Sequence, residues 1–483
     1  MEACTLNIYI KLTHTIFKQK TNSFFIKEGV TMSSQDNNNQ KSSKKQGKMK
    51  WWELSLVGVG CTIGTGYFVG SSLGVIETGP AIVLSFMIAA IGTYIVFNLL
   101  AKMTAEDPQE GSFCYYANKA FGSWAGFSCG WNYWGSNILI MGSQLTALSL
   151  LSQFWFPNVP LWVFACIYAV LSIFVVFLGT DGFDKVENYL AVIKTAAIIM
   201  FIILGAAALF GWIHGGDHPM QTPKSFDAFF PKGFQGFWTS LIYAFYAYGG
   251  IEVIGLMAMQ LKDKKDAPKA GTNMLIILLI IYCLSLAIAV LLVPLDKFNE
   301  KESPFVTALA GYPLSFFPHV FNGAIIIAGF STMTASLFGV TNLLVTLAKS
   351  KDAPAIFEKK LKKFHQLPLP SLILGAVGLF ASVLAALLLP GKIFEYITTA
   401  AGILLLYNWA FILFSSFKVL KPSGWDKTKA IIGIALIVAA VSGTVMEKGI
   451  RIGFFVSLAC VALIGVATFI MHLRQKKSEP ESA

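Results

Sequence analysis

Uninterrupted apolar runs of roughly 20 residues recur along almost the whole chain after Trp51, each long enough to carry a helix across about 30 Å of hydrocarbon. Read between charged or Pro/Gly-rich breaks, the spans fall near 54–75, 80–102, 123–151, 160–179, 188–213, 237–260, 273–294, 320–347, 369–389, 393–417, 428–446 and 451–472. These boundaries follow from hydropathy alone. In lipid every backbone polar group must be satisfied internally, which leaves helices or a closed barrel. Barrel strands would alternate apolar and polar residues with period two, and these runs do not. The expectation is an all-α integral membrane protein with 12 transmembrane helices. With 55% hydrophobic residues and only 13% charged, a water-soluble core could not hide the apolar surface.

The net charge of +11 could point to nucleic acid, but the basic residues sit in short segments between spans and form no stripe. They are topology signals. With the N-terminus inside, 25 Lys and Arg residues after Met32 lie in cytoplasmic segments and 7 outside, so both termini are expected to be cytoplasmic. The cytoplasmic clusters include Lys262, Lys264, Lys265 and Lys269, and the run from Lys349 to Lys363. Residues 1–53 are expected to form a disordered cytoplasmic segment, because Ser33 to Lys50 is rich in Asn, Ser and Lys and has no apolar face to bury. Translation is expected to start at Met32, given that Lys27-Glu28-Gly29-Val30 could be encoded by a purine-rich ribosome-binding stretch. A cytoplasmic tail, 474–483, closes the chain. The seven cysteines include no Cys-x-x-Cys pair and mostly lie inside apolar runs, so neither a disulfide framework nor a metal site is expected.

Two spans carry helix-weakening sequence. The first reads Gly60-Cys61-Thr62-Ile63-Gly64-Thr65-Gly66-Tyr67-Phe68-Val69-Gly70. The sixth reads Tyr246-Ala247-Tyr248-Gly249-Gly250-Ile251-Glu252, with a carboxylate in mid-membrane where an unpaired charge is costly. Small residues can also serve close helix packing. Interruptions at corresponding places in two five-helix halves nevertheless point to an inverted-repeat transporter with its site at the midplane. Unwinding near Cys61 to Ile63 would bare the amides of Gly64, Thr65 and Gly66 at the positive end of a half-helix, where a carboxylate binds. Unwinding span six would bare the carbonyls of Tyr246, Ala247 and Gly249 at a negative end, where an ammonium binds.

The run Gly60 to Gly70, the Gly250-Ile251-Glu252 motif and the loop Glu110-Gly111-Ser112-Phe113 with Tyr116-Ala117 resemble the amino acid permeases of the amino acid, polyamine and organocation (APC) transporter superfamily. The likeness extends from about Trp51 to the last span. It implies a five-plus-five inverted repeat, the leucine-transporter-like fold, with helices 1 to 5 in 54–213, helices 6 to 10 in 237–417, two extra C-terminal helices in 418–473, and helices 1 and 6 broken. It also implies amino acid uptake, with Thr65 and Gly66 at the substrate carboxylate and the carbonyls of Thr62, Tyr246, Ala247 and Gly249 at the amino group. Glu252 matches the family's glutamate in helix six. The chain departs from many relatives at Gly142-Ser143-Gln144-Leu145-Thr146 and at Gln260, where they carry glutamate, so roles that need a negative charge there do not transfer.

Lys194 lies inside the fifth span. A lysine there either snorkels to the interface or, once desolvated, gains and loses its proton under working conditions. By resemblance to proton-coupled permeases, Lys194 stands in place of the cation that relatives hold between helices one, five and eight. Ser331, with Thr334, would be its oxygen partner, and Gly60 or Cys61 would supply a carbonyl. Glu252 either gates or couples to protons, or satisfies amides freed at the break. Trp131, Tyr133, Trp134, Tyr246 and Tyr248 are candidate pocket aromatics.

The expected protein is a proton-coupled permease for a neutral, apolar amino acid in a bacterial cytoplasmic membrane, needing no cofactor or metal. An exchanger of the same fold and a non-transporting sensor are the alternatives. No His/Asp cluster, Ser/His/Asp set or phosphate loop supports an enzyme.

Overall fold

The computed structural model describes residues 49–109, 111–216, 219–252, 261–360, 367–388 and 393–478. Within the described residues each apolar run carries helix, the sixth as far as Ala247, because an apolar chain with no water to bond must pair its own amides and carbonyls. The first run is split into α1 (Trp51–Thr62), α2 (Thr65–Phe68) and α3 (Gly70–Thr78). There follow α4 (Ile82–Glu106), the short α5 (Ser112–Phe121), α6 (Ser123–Ser152), α7 (Leu161–Phe177) and α8 (Gly179–Leu209). After the small α9 (Phe226–Phe229) come α10 (Gly233–Ala247), α11 (Ala267–Leu292), α12 (Pro304–Leu309) and α13 (Phe317–Lys349). The series ends with α14 (Leu369–Leu388), α15 (Ile393–Val419), α16 (Gly424–Met446) and α17 (Arg451–Ser478).

Among the described residues there is no strand, only one isolated bridge between Met49 and Leu261. Among the described residues, seven helical stretches are long and apolar enough, by length and composition, to cross a membrane. The rest of the twelve runs are shorter, broken or more polar, like α6 with its Ser, Asn and Gln residues, and need neighbours to cover them. The polar α6 accordingly packs against both α13 and α15. Its Asn132 side chain donates to the Leu404 carbonyl of α15 at 2.9 Å, so the polar face looks into the bundle. In contrast, α17 turns most of its side chains outward, as suits a lipid-facing helix.

One expectation needs correcting. Helix begins at Trp51, so residues 51–53 belong to the first helix and not to a disordered segment. The Lys50 amide donates to the Glu53 carboxylate at 2.9 Å, and the Lys269 ammonium lies 4.2 Å from the Trp51 ring centroid. A satisfied N-terminal amide and a cation–π contact hold that turn. The remainder of the N-terminal segment before Met49, the Met32 start, Glu110, Gln260, residues 361–363 of the Lys349–Lys363 cluster and 479–483 of the tail lie outside the described residues.

Candidate functional site

The first helix breaks at Ile63 and Gly64. Ile63 still donates to the Val59 carbonyl at 3.1 Å, but its ψ of 108° turns the chain out of the helix, and Gly64 is extended. Helical bonding restarts when the amides of Tyr67 and Phe68 both reach the Gly64 carbonyl at 3.0 Å. Among the described residues the amides of Gly64, Thr65 and Gly66 have no acceptor, and the enclosed Thr65 hydroxyl has no partner. These donors sit where the dipole of the resumed helix is positive.

The sixth apolar run breaks next to it. After α10 the amides of Tyr248 and Gly249 tighten onto the carbonyls of Phe245 and Tyr246, each at 3.0 Å, and Gly250 takes a φ of 104° that a side chain rarely tolerates. A Cβ on Gly250 would lie 3.7 Å from both the Cys61 carbonyl oxygen and Thr62 Cα, so the two breaks are side by side. Of the carbonyls expected to receive an ammonium, Tyr246 already accepts from Gly249, and Ala247 accepts from the Tyr282 hydroxyl at 3.1 Å. Each keeps a second lone pair. The Gly249 carbonyl has no donor among the described residues.

Glu252 is 3% exposed and gathers three donors. The Gly250 amide reaches it at 3.2 Å, the Tyr133 hydroxyl at 3.3 Å and the Trp409 indole at 3.4 Å. Its carboxylate therefore satisfies an amide freed by the break while fixing α6 and α15 around it. Of the other candidate aromatics, Trp131 donates its indole to the Asp352 carbonyl at 3.0 Å, which ties it to the far end of α13. Tyr248 packs against Phe86 and Tyr282, with centroids 6.0 and 5.2 Å away.

Close contacts hold the site together. A Cβ on Gly66 would come within 2.9 Å of the Tyr246 ring, and one on Gly64 within 2.9 Å of the Thr332 hydroxyl. The Tyr246 hydroxyl is bonded to Ser143 at 2.7 Å, and the Gln144 amide donates to Thr332 at 3.0 Å. Ser143 and Gln144 on α6 thus serve as uncharged tethers, one to each break. Thr332, Tyr282 and Trp409 escaped the sequence reading, since a Thr, Tyr or Trp in an apolar run carries no signal of what faces it across the bundle.

Lys194 on α8 is fully buried and donates to the Ser331 hydroxyl at 2.9 Å. Beside it α1 and α8 are in contact, because a Cβ on Gly60 would lie 3.3 Å from that of Ala191. Thr334, the other candidate partner, bonds back to the Phe330 carbonyl of its own helix at 2.8 Å. Ser331 and Thr332 are neighbours on α13, so one helical segment touches both the buried lysine and the first break.

Helices interrupted against one another inside an apolar bundle are the architecture of a membrane transporter. The chain belongs to the amino acid permease family, whose sequence profile matches residues 53–472. It is 54% identical over 443 residues to an uncharacterized transporter of Bacillus subtilis, YcgH, covering 92% of this chain and 99% of that one. It is 31% identical over 383 residues to the aromatic amino acid transport protein AroP of Corynebacterium glutamicum, covering 76% and 80% of the two chains. Identity to a gamma-aminobutyric acid permease of Bacillus subtilis is 27% over 390 residues, covering 79% and 82%.

Proposed function

We propose that this permease takes up a neutral amino acid with an apolar or aromatic side chain, coupled to protons, by alternating access across a bacterial cytoplasmic membrane. The observation that carries the reading is the pair of adjacent breaks. Bare amides of Gly64, Thr65 and Gly66 with the Thr65 hydroxyl suit a carboxylate, and the carbonyls of Thr62, Tyr246, Ala247 and Gly249 suit an ammonium. Ile63 and Tyr248 shape the corners of the two turns. The side chains tethering the breaks, Ser143, Gln144 and Thr332, are uncharged, which favours a neutral substrate. The aromatic transport proteins among its relatives agree with an apolar one.

Twelve spans in a five-plus-five inverted repeat with two additional helices, and both termini in the cytoplasm, complete the proposal. Lys194 carries the proton. With the proton on, its ammonium bonds Ser331; with the proton off, that contact weakens at the segment of α13 that packs on the first break, with Gly60 and α1 alongside. Glu252 holds the second break in shape and acts as its gate post. The test is uptake of a panel of labelled amino acids by purified protein in liposomes, with and without an inside-alkaline pH difference at fixed potential. Accumulation of a neutral amino acid driven by the pH difference is expected. Transport that requires a preloaded amino acid and ignores pH would make the protein an exchanger, and no transport of any member would sink the reading.

A further inference from the structure

The two breaks are to hold opposite ends of one molecule, so the distance between them decides which zwitterions fit. Both are fixed from behind by one turn of α11. Tyr67 follows Thr65 by two residues on α2, and its hydroxyl is bonded to that of Ser285. Three residues before Ser285, the Tyr282 hydroxyl donates at 3.1 Å to the carbonyl of Ala247, the last residue of α10. Residues three apart lie one above the other on a helix face, so the resumed first helix and the start of the second break are tied to neighbouring points of one rod. The two tyrosine rings are also stacked on each other, with centroids 3.8 Å apart and planes 15° from parallel.

The stack is tightly enclosed. Tyr67, Tyr282 and Ser285 are fully buried. Phe86 stands edge-on to both rings, at 6.0 and 5.7 Å, Phe305 closes on Tyr67 at 5.3 Å, and Tyr248, the residue after Ala247, packs on Tyr282 at 5.2 Å. Aromatic pairs in these geometries contribute beyond the area they bury, and a close-packed interior transmits a displacement where a looser one would absorb it. A shift of the bare amides at Gly64 to Gly66 therefore carries Tyr67 with it, and through the stack and the Tyr282 phenol reaches the Ala247 carbonyl. We infer that Tyr67, Tyr282 and Ser285 form a ruler, which fixes the span between the carboxylate grip and the ammonium grip and so selects α-amino acids over ω-amino acids. All three are positioning residues, since each acts through a half-helix or a main-chain carbonyl. An α-amino acid carries both charged groups on one carbon, whereas γ-aminobutyrate sets two further carbons between them. Hydrogen bonds weaken steeply once stretched or bent, so a site of fixed span rejects the longer molecule and a compliant one accommodates it while holding the shorter less well. This inference rests on the amino acid reading above.

Two isomers that differ only in where the amino group sits, L-2-aminobutyrate and γ-aminobutyrate, test it as competitors of tritiated L-phenylalanine or L-leucine uptake into liposomes. In the wild type the α isomer should inhibit at a concentration roughly tenfold or more below that of the γ isomer. Tyr67→Phe and Tyr282→Phe keep the stack and cut one tie each, and each should lower that ratio roughly 3- to 10-fold, the worth of about one hydrogen bond. Ser285 is not stranded in the first of these, because its hydroxyl also donates to the Ile281 carbonyl of its own helix. Tyr282→Leu removes the stack as well and should lower the ratio further; should it not fold, the two Phe variants carry the test. Tyr116→Phe is the control. It loses the same kind of bond, to the Asp107 carbonyl at 2.8 Å in the connection between α4 and α5, and should lower the thermal midpoint while leaving the ratio unchanged. A ratio that stays at the wild-type value in both tie variants, or falls as far in the control, overturns the ruler and leaves the permease reading standing. Failure of the wild type to take up either labelled amino acid overturns both.

Discussion

Gly66→Ala is a one-methyl change whose consequence can be worked from distances. The new Cβ would sit 2.9 Å from Tyr246 Cε1 and 3.1 Å from Cδ1, whereas relaxed carbon contacts lie near 3.5–4.0 Å. The half-ångström or more of overlap must be relieved by swinging the Tyr246 ring, since Gly66 is held by the resumed helix. That swing strains a packed site by about 1–3 kcal/mol and breaks the 2.7 Å bond to Ser143. Parting two buried hydroxyls adds about 1–2 kcal/mol. The sum, about 2–5 kcal/mol, corresponds to a loss in transport efficiency of roughly 30-fold to 4,000-fold. Initial-rate uptake in liposomes measures it, with thermal unfolding in detergent confirming the fold. Tyr246→Phe keeps the ring in place and should lose no more than roughly tenfold. Adding Tyr246→Leu to Gly66→Ala opens space and should recover part of the loss, as a negative coupling in the double-mutant cycle. Efficiency within twofold of wild type for Gly66→Ala would refute the packed geometry assigned to the first break.

Lys194→Gln should abolish accumulation driven by a pH gradient while sparing equilibrative exchange, read by counterflow in the same vesicles; undiminished accumulation discards the proton role. Glu252→Gln keeps one acceptor oxygen for the Gly250 amide and Trp409 indole and turns its NH2 toward the Tyr133 hydroxyl; the loss of the charged acceptor should cost about 1–3 kcal/mol, lowering uptake at every pH without shifting the profile, and a shifted profile would assign it to proton transfer instead. Tyr282→Phe loses only the bond to the Ala247 carbonyl and should reduce stability by about 1 kcal/mol, seen as a lower thermal midpoint. Burial raises Asp352, just past α13, from the usual carboxylate range to about 6. The folded state therefore binds its proton more tightly than the unfolded chain, and stability on this account is greatest below the unfolded pKa and falls as pH climbs toward 6. Asp352→Asn should raise the thermal midpoint at pH 7.5 and leave it nearly unchanged at pH 4, a difference that thermal scans at the two pH values will show.

The sequence by itself determined where the chain is helical and where two of its helices give way. Apolar runs of membrane length can do little else in lipid, and Gly60 to Gly70 and Tyr246 to Glu252 combine residues that do not sustain a helix with a carboxylate that demands donors. It also singled out Lys194, because a charge within an apolar run is conspicuous in one dimension, whereas Ser331 is reached only through the resemblance to proton-coupled permeases. Only the tertiary structure decided which partners those groups found. Tyr282 takes a carbonyl of the second break, Gln144 and Ser143 tether the two breaks through Thr332 and Tyr246, and Trp409 helps to satisfy Glu252. Those residues come from four other helices, and hydropathy describes how each helix meets lipid while leaving open which helix it meets.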